Sequence, residues 1–233
     1  MPFETTDFSR SPAQLAADQA ASGFMAGVYR WMTLGLGVTG AVAWYMAANP
    51  QLLAQAWGFK WVLIIAQLGL VVVLSAAAAR LSFGVAASLF LAYAALTGIT
   101  FGVIFYAYTT GSIASAFIVT AGAFLGLSLY ASATKRDLSA WGTFLFMGLI
   151  GVVIAGVVQI FWPSPMLNFV TGCAGVVVFA GLTAYDTQKL RAFRMQAGAQ
   201  GVAALSIVGA LTLYLDFINL FLSLLRIFGG RRQ

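Results

Sequence analysis

Residues 202–225 read VAALSIVGALTLYLDFINLFLSLL, an apolar run interrupted by one acidic side chain, Asp216. A helix rises about 1.5 Å per residue, so about 20 apolar residues cross the hydrocarbon core of a bilayer. This run is therefore long enough to span a membrane. Because a charge at the bilayer centre costs about 2.5 to 3.5 kcal/mol on insertion scales, we expect Asp216 to face the interior of a helix bundle.

Six further apolar runs precede this segment, with only short polar connections between them. They lie near 25–48, 58–79, 84–108, 112–132, 139–161 and 166–196. Of the 233 residues, 61% are hydrophobic and 8% are charged, whereas soluble domains carry about 25% charged residues. The sequence predicts an all-α polytopic membrane bundle with seven transmembrane helices. Its predicted parts are a polar cytoplasmic tail (1–23), a membrane domain (24–228) and a short basic tail (229–233).

The basic residues indicate how the chain is oriented in the membrane. Twelve Lys and Arg oppose six Asp and Glu, giving a net charge of +6. They flank alternate helix ends, as residues that meet anionic lipid do, so we expect the bilayer and not nucleic acid as the partner. The clusters are Arg10 with Arg30, Arg80, Lys135 with Arg136, and Lys189 with Arg191 and Arg194. Since Lys and Arg concentrate in the cytoplasm, the N-terminus is predicted to be cytoplasmic.

The C-terminal end leaves two topologies open. Seven spans would place Arg226, Arg231 and Arg232 outside, against the usual charge distribution. A six-span form with a re-entrant last segment would keep these residues inside. The length of the 202–225 run favours seven spans.

Two residue counts exclude several kinds of site. The chain has no histidine, which excludes imidazole metal sites and histidine-based acid–base catalysis. Its single cysteine, Cys173, lies in an apolar run and is predicted to be a packed core residue. One thiol can form neither an intramolecular disulfide nor a cysteine-rich metal site. No cofactor is expected.

Asp186 and Asp216 are the acidic residues that fall within apolar segments. They are equidistant from Gly201, which ends a predicted turn at 198–201. If the last two helices form a hairpin there, both carboxylates lie roughly 20 Å from the turn and can face each other. Because charged residues in membrane helices usually mark ion or proton pathways, we assign this pair to a pH sensor and ion pathway.

A polar stripe on the last helix extends this candidate site. It consists of Thr212, Asp216, Asn219 and Ser223. Spacings of four, three and four residues place these side chains on one helical face. A lone Ser or Thr in a membrane helix usually bonds its own backbone, but a stripe containing Asp and Asn predicts a polar cavity. Thr183, one turn before Asp186, is predicted to line the same cavity.

The paired carboxylates suggest a mechanism. Two carboxylates close together in a low-dielectric interior cannot easily both ionise, so the pair holds a shared proton and can sense pH. The pair can also bind Ca²⁺ weakly and transiently, since Ca²⁺ takes about six to eight oxygen ligands and the stripe supplies few. Protonation should therefore compete with cation entry.

Four motifs resemble the Bax inhibitor-1 family, also called the transmembrane Bax inhibitor motif family, and most closely its bacterial YccA-like branch. They are VYRWMTLGL at 28–36, YAALTG at 93–98, TAYDTQ at 183–188 and LYLDFINLF at 213–221. The resemblance implies a seven-helix fold with a central last helix, a pH-dependent Ca²⁺ leak, and a paired-aspartate sensor at Asp186 and Asp216. It also implies a bacterial inner-membrane location, suppression of cell death by eukaryotic members, and interaction of YccA with a membrane protease.

The chain departs from this family pattern at two positions. Gln67 stands where characterised relatives carry a carboxylate. Ala78 stands near the place of a basic latch residue, and Arg80 follows two positions later. We therefore do not expect an arginine latch to close this protein in the same way.

Three classes of function follow from these features. The first is a pH-gated leak channel or transporter for Ca²⁺ or other cations. The second is a membrane interaction protein that modulates a protease or another membrane partner. The third is an intramembrane aspartyl protease, which Tyr185–Asp186 would suit. However, Tyr214-Leu215-Asp216 replaces the Gly-x-Gly-Asp motif of those proteases, and no Pro-Ala-Leu follows. No enzymatic activity is expected.

The first prediction concerns topology. Labels placed at Lys135 and Arg191 should react only from the cytoplasmic side, and a label at Ser164 only from the opposite side, because alternate connections carry the basic residues. Cysteine labelling with a membrane-impermeant maleimide in oriented vesicles measures this. Labelling of positions 135 and 164 from the same side would refute the topology, and a label after Gln233 distinguishes six spans from seven.

Overall fold

The computed structural model describes residues 12–76, 81–196, 202–230 and 232, and these residues form α-helices, one 3₁₀ turn and no β-strand. The helices are α1 (Pro12–Ala48), α2 (Pro50–Gly58), α3 (Lys60–Ala76), α4 (Phe83–Ala107), α5 (Thr110–Ala133), α6 (Gly142–Phe161), α7 (Pro165–Gln196) and α8 (Val202–Phe228), and the 3₁₀ turn is Ser139–Trp141. The predicted all-α membrane bundle is confirmed. Arg80 and the predicted 198–201 turn lie outside the described residues, as do the first eleven residues of the predicted tail.

The number of spans differs from the sequence-based expectation. By length and composition, five of the described helices could cross a membrane, namely α4 to α8 with the 3₁₀ turn joined to α6. The pair α2 and α3 would add a sixth span, bent by 74° at Phe59. The predicted count of seven is therefore not confirmed. Pro50 begins α2, because the first residues of a helix have no acceptor for their N–H groups and the missing N–H of proline costs nothing there.

The C-terminal helix α8 occupies the centre of the bundle, as the family resemblance implies. It packs against α1, α4, α5 and α7. In its apolar stretch of 18 residues, 67% of the residues are buried, compared with 6% in the corresponding stretch of α6. The exposed side chains of α6, such as Phe144, Met147 and Ile154, are apolar. Lipid tails solvate such surfaces without cost, so α6 needs few protein neighbours whereas α8 depends on them.

A buried polar cluster joins α8 to α1 and α4. Thr39 Oγ1 of α1 donates a hydrogen bond to the Ala94 carbonyl of α4 at 2.9 Å. The Tyr214 hydroxyl of α8 lies 2.6 Å from the same Thr39 oxygen. Because the single Thr39 proton is already donated, Tyr214 is the donor in this second bond. The rings of Phe90 and Tyr93 pack edge-on against Tyr214 at centroid distances of 5.8 Å.

The chain after α8 docks on the connection between α4 and α5. The Thr109 N–H donates to the Gly230 carbonyl at 3.1 Å, and the Arg232 N–H donates to the Ala107 carbonyl at 2.9 Å. An unbroken α8 therefore runs from the Gln196 end of α7 to the opposite end of the bundle. This geometry agrees with a crossing last helix and not with a re-entrant one.

Gly98 with Gly102 and Gly122 with Gly126 form two small-xxx-small pairs, a spacing that predicts close helix contacts within the bundle. Only the first pair makes such contacts. A Cβ added at Gly98 would lie 2.6 Å from Val42 Cβ and 2.8 Å from the Thr39 carbonyl, and one at Gly102 would lie 2.6 Å from Met46 Cβ. The pair Gly122 and Gly126 is exposed and has no atom within 4 Å of such a Cβ. The prediction of bundle contacts is therefore wrong for this second pair, because it lies on the outer face of α5.

The predicted burial of Cys173 is also wrong, because its side chain is exposed. Its neighbours Thr171 and Gly172 are buried, and Gly172 faces Ile227 of α8. One residue farther along an α-helix turns the side chain by about 100°, which places Cys173 on the outer face of α7.

The second prediction tests close packing between α1 and α4. Gly98→Ala should lower the stability of the bundle by about 1–3 kcal/mol, because the new methyl group meets the Thr39 carbonyl, a backbone atom that cannot rotate away. Thermal unfolding of detergent-purified protein, followed by tryptophan fluorescence, measures the change.

Gly122→Ala is the matched control for this prediction. It lies in open space on α5, so it should leave the midpoint unchanged or raise it slightly through a better helix propensity. Equal midpoints for the two variants would contradict the packing described here.

Candidate functional site

The two in-membrane aspartates, Asp186 of α7 and Asp216 of α8, line one cavity and lie close enough for their carboxyl groups to share a hydrogen bond. A hydrogen bond between two carboxyl groups requires that one of them carries a proton. Asp216 is buried, with 5% of its surface exposed, and Asp186 is partly buried. The Asp216 Oδ2 atom is buried and has no hydrogen-bond partner among the described residues. Such an unsatisfied oxygen marks a place for a proton, a water molecule or a cation.

The antiparallel register of α7 and α8 brings the aspartates together. Near the Gln196 end of α7, Gly209 of α8 packs against Leu190. Near the other end, Gly172 and Gly175 of α7 pack against Ile227 and Ser223 of α8. Asp186 and Asp216 lie between these contacts, as their equal spacing from Gly201 predicts.

The aspartates line a cavity of about 580 Å³ between α6, α7 and α8. Its polar lining residues are Ser139, Thr143, Tyr185, Asp186, Lys189, Thr212, Asp216 and Asn219. Ser139 belongs to the 3₁₀ turn before α6, and Lys189 lies near the end of α7. The cavity therefore lies toward the end of the bundle that carries Lys135 and Arg136, the predicted cytoplasmic end.

The structure places two of the four predicted lining residues at this cavity. Thr212 and Asn219 are part of the lining. Thr183 is fully buried, and its hydroxyl donates to the Phe179 carbonyl at 2.7 Å. Ser223 is buried against Gly175 and donates to the Asn219 carbonyl at 2.7 Å. Neither Thr183 nor Ser223 belongs to the cavity lining.

The lining residues of α8 present acceptor oxygens to the cavity. The Thr212 hydroxyl donates to the Val208 carbonyl at 3.2 Å, and the Asn219 amide donates to the Leu215 carbonyl at 2.8 Å. The Thr212 proton and one of the two Asn219 amide protons are therefore used within the helix, and the oxygen lone pairs of both side chains remain available. Oxygen lone pairs are the ligands that Ca²⁺ takes in proteins.

The carboxylate content suits a weak cation site. Within the described part of the chain, no group of three or more Asp, Glu, His or Cys side chains clusters anywhere. Two carboxylates with Thr212 and Asn219 fall short of the six to eight oxygens of a typical Ca²⁺ site. A cation at this position would keep several of its own waters.

The mouth of the cavity is built from α7 and the connection before α6. The Tyr185 ring packs against Gly142, where a Cβ would meet ring atoms at 2.9 Å. Lys189 Nζ lies 5.5 Å from the centroid of the same ring. Gln188 links α7 to the connection between α5 and α6. Its Oε1 accepts a hydrogen bond from the Leu138 N–H at 2.8 Å, and its Nε2 donates to the Arg136 carbonyl at 2.9 Å.

Asp137 lies outside the cavity, on the connection between α5 and α6. The Ser139 N–H donates to its Oδ1 at 2.8 Å. Hydrogen bonds from Ser139 hold the pKa of the exposed Asp137 carboxyl below its usual value, because they favour the charged form. Asp137 therefore stays ionised to a lower pH than an ordinary aspartate, which makes it a poor candidate for a sensor near neutral pH.

Sequence reasoning missed four of the polar lining residues, namely Ser139, Thr143, Tyr185 and Lys189. Thr143 and Ser139 lie at the start of a segment that reads as almost uniformly apolar, and nothing in its pattern points toward the aspartates. Lys189 and Tyr185 could have been predicted to line the cavity, because each lies within one helical turn of Asp186.

The two departures from the family pattern lie away from the cavity or outside the described residues. Gln67 donates to the Leu96 carbonyl of α4 at 3.4 Å and does not line the cavity. Ala78 and Arg80 lie outside the described residues.

Comparison with known proteins relates the chain to a family over most of its length. The family model described as "inhibitor of apoptosis-promoting Bax1" matches residues 21–233. The inner membrane protein YbhL of Escherichia coli strain K12 is 52% identical over 231 residues, which cover 97% of this chain and 99% of YbhL.

More distant bacterial relatives show the same full-length similarity. An uncharacterized protein of Deinococcus radiodurans is 46% identical over 220 residues, 94% of each chain. An uncharacterized membrane protein of Streptococcus pyogenes is 36% identical over 219 residues, which cover 91% of this chain and 95% of the relative. Together with the membrane-spanning helices, these matches identify an integral membrane protein. Because the family model covers nearly the whole chain, the protein belongs to the Bax inhibitor-1 family.

Proposed function

We propose that this protein is a pH-sensitive leak channel or transporter for Ca²⁺ or other cations, gated by protonation of the Asp186–Asp216 pair. One observation carries the proposal. The pair lines a membrane cavity of about 580 Å³, and the buried Asp216 Oδ2 has no partner there among the described residues. Ionisable groups in membrane helices usually mark ion or proton pathways.

The mechanism rests on competition between a proton and a cation for the same oxygens. With one shared proton, the pair is held together by its hydrogen bond. Loss of that proton places two negative charges in a low-dielectric site, which repel each other unless a cation enters. Cation entry therefore favours deprotonation, and acid favours the hydrogen-bonded pair without a cation. The other ionisable groups at the cavity are Tyr185 and Lys189.

The contacts beyond the aspartates describe a closed pathway. Between Asn219 and the far end of α8, Ser223 packs directly on Gly175, and the Ser223 carbonyl lies 3.3 Å from a Cβ placed at Gly172. This glycine face lets α7 and α8 approach closely. We propose that conduction requires α7 and α8 to separate at Gly175 and Ser223.

The competing function is a membrane interaction protein that modulates a protease or another membrane partner. In that case the aspartates would serve only to hold α7 against α8. The two functions differ in one respect that can be measured. A structural pair affects folding and leaves ion flux independent of its charge, whereas a gate makes flux depend on that charge.

The third prediction is that both Asp216→Asn and Asp186→Asn change Ca²⁺ flux at a given pH by about three- to tenfold, equivalent to about 0.7–1.4 kcal/mol. Each variant keeps the size and most of the hydrogen bonding of the pair while removing one ionisable group. In wild type, flux should titrate between about pH 5 and 8. The measurement is Ca²⁺ entry into proteoliposomes that contain an enclosed fluorescent indicator.

Asp137→Asn is the matched control, because it removes the same charge from the exposed connection next to the cavity. Its flux should follow the wild-type pH profile. If wild type and both variants, each verified as folded by its melting temperature, carry Ca²⁺ equally from pH 5 to 8, the aspartates are structural. The interaction function would then replace the leak.

A further inference from the structure

A second polar cavity lies at the opposite end of α8. Its volume is about 630 Å³. It is lined by Tyr108, Gln159, Pro163, Ser164, Pro165, Asn168, Phe169, Arg226 and Gly229. It lies between the ends of α4, α6 and α8 and the start of α7, on the side that the topology predicts to be outside the cytoplasm. The proposed leak does not involve this cavity.

Arg226 is the cation of this cavity, and no carboxylate of the described chain accompanies it. It is partly buried in the last turn of α8, and its stem packs against α7, where a Cβ at Gly172 would lie 3.3 Å from Arg226 Cβ. The acidic residues within the described side chains are Asp137, Asp186 and Asp216, and none of them lines this cavity. A partly buried guanidinium gains most from a bound anion when the protein supplies no acid.

The remaining groups around Arg226 also suit an anion. The cavity includes the N-terminal end of α7, a helix of 32 residues that begins at Pro165. The dipole of a helix start favours negative charge, although the N–H groups of Leu167 and Asn168 already donate to the Ser164 hydroxyl and carbonyl. Gln159 and Asn168 add side-chain amides, which can donate hydrogen bonds to oxygen. These donors converge with the guanidinium in one cavity.

The surroundings place this cavity at the level of lipid headgroups. Next to it, Phe161, Trp162 and Phe169 are 66%, 72% and 50% exposed. Exposed aromatic side chains at the ends of membrane helices lie at the membrane–water interface. In the part of α6 that precedes Gln159, few residues are buried, and the exposed face of this helix is available to lipid. An anion that reaches this cavity from the membrane plane is a lipid phosphate.

We propose that this cavity binds the phosphate of a phospholipid headgroup, with Arg226 as its charge partner and the side-chain amides of Gln159 and Asn168 as hydrogen-bond donors. The bidentate geometry of guanidinium and phosphate explains why an arginine stands here. It also explains why a positive charge is present at an end of the bundle where membrane proteins usually carry few. The bound lipid would fasten α8 to the start of α7.

The fourth prediction tests the site with delipidated full-length protein in detergent and native mass spectrometry. Phosphatidylglycerol should bind about tenfold more weakly to Arg226→Gln than to wild type, the loss of about one charge-assisted contact. Asn168→Leu, which keeps every charge, should weaken binding by a smaller factor. Arg232→Gln is the matched control, because Arg232 is exposed at the same end, contacts Thr110 and does not line the cavity.

Two further ligands separate the sources of the phosphate. A diacylglycerol with the same acyl chains lacks the phosphate and should bind to wild type and Arg226→Gln equally and weakly. Inorganic phosphate at millimolar concentration should not displace phosphatidylglycerol. Displacement would show a site for free phosphate and overturn the lipid assignment. Equal losses in Arg226→Gln and Arg232→Gln would show general surface attraction and also overturn it. If Arg226→Gln does not fold, unchanged binding by folded Asn168→Leu overturns the site.

Discussion

The polar side chains of α8 need partners inside the bundle, because lipid offers no hydrogen bonds and protein surrounds this helix on most sides. The rest of the structure follows from this constraint. Tyr214 is satisfied by Thr39, which in turn bonds the Ala94 carbonyl, so α1 and α4 are joined through α8. Asp216 is satisfied on one oxygen by Asp186. These polar contacts therefore define the positions of the neighbouring helices more precisely than the packing of apolar side chains alone would.

The spacing between α7 and α8 differs along the length of their contact. At Gly172 and Gly175 the absence of side chains lets the backbones approach, and Ser223 fills the remaining space. At Asp186 and Asp216 the same two helices, with α6, enclose a cavity. Two helices that pack closely at one end and enclose a cavity at the other are a suitable basis for a gate, since a small change in their separation opens or closes the closely packed end.

Charge is distributed unequally between the two ends of α8. Both aspartates share their cavity with Lys189, and this cavity lies toward the end of the bundle that carries Lys135 and Arg136. The other end carries Arg226 without an acidic neighbour among the described residues. The ligands that we propose for the two cavities therefore have opposite charge, a cation at the aspartates and an anion at Arg226. The constriction at Ser223 separates them.

The sequence by itself determined the membrane class, the positions of most helices and the pairing of Asp186 with Asp216, because apolar length and residue spacing report directly on helices of constant rise. Its motifs also determined the family. It did not determine which face of a helix meets a neighbour. Thr212 and Ser223 share one stripe, yet one lines a cavity and the other fills a glycine contact. Gly98 and Gly122 stand in similar motifs, yet only Gly98 touches another helix. Helical periodicity defines a face, but only the packing of separate helices decides whether lipid, a cavity or another backbone lies opposite it.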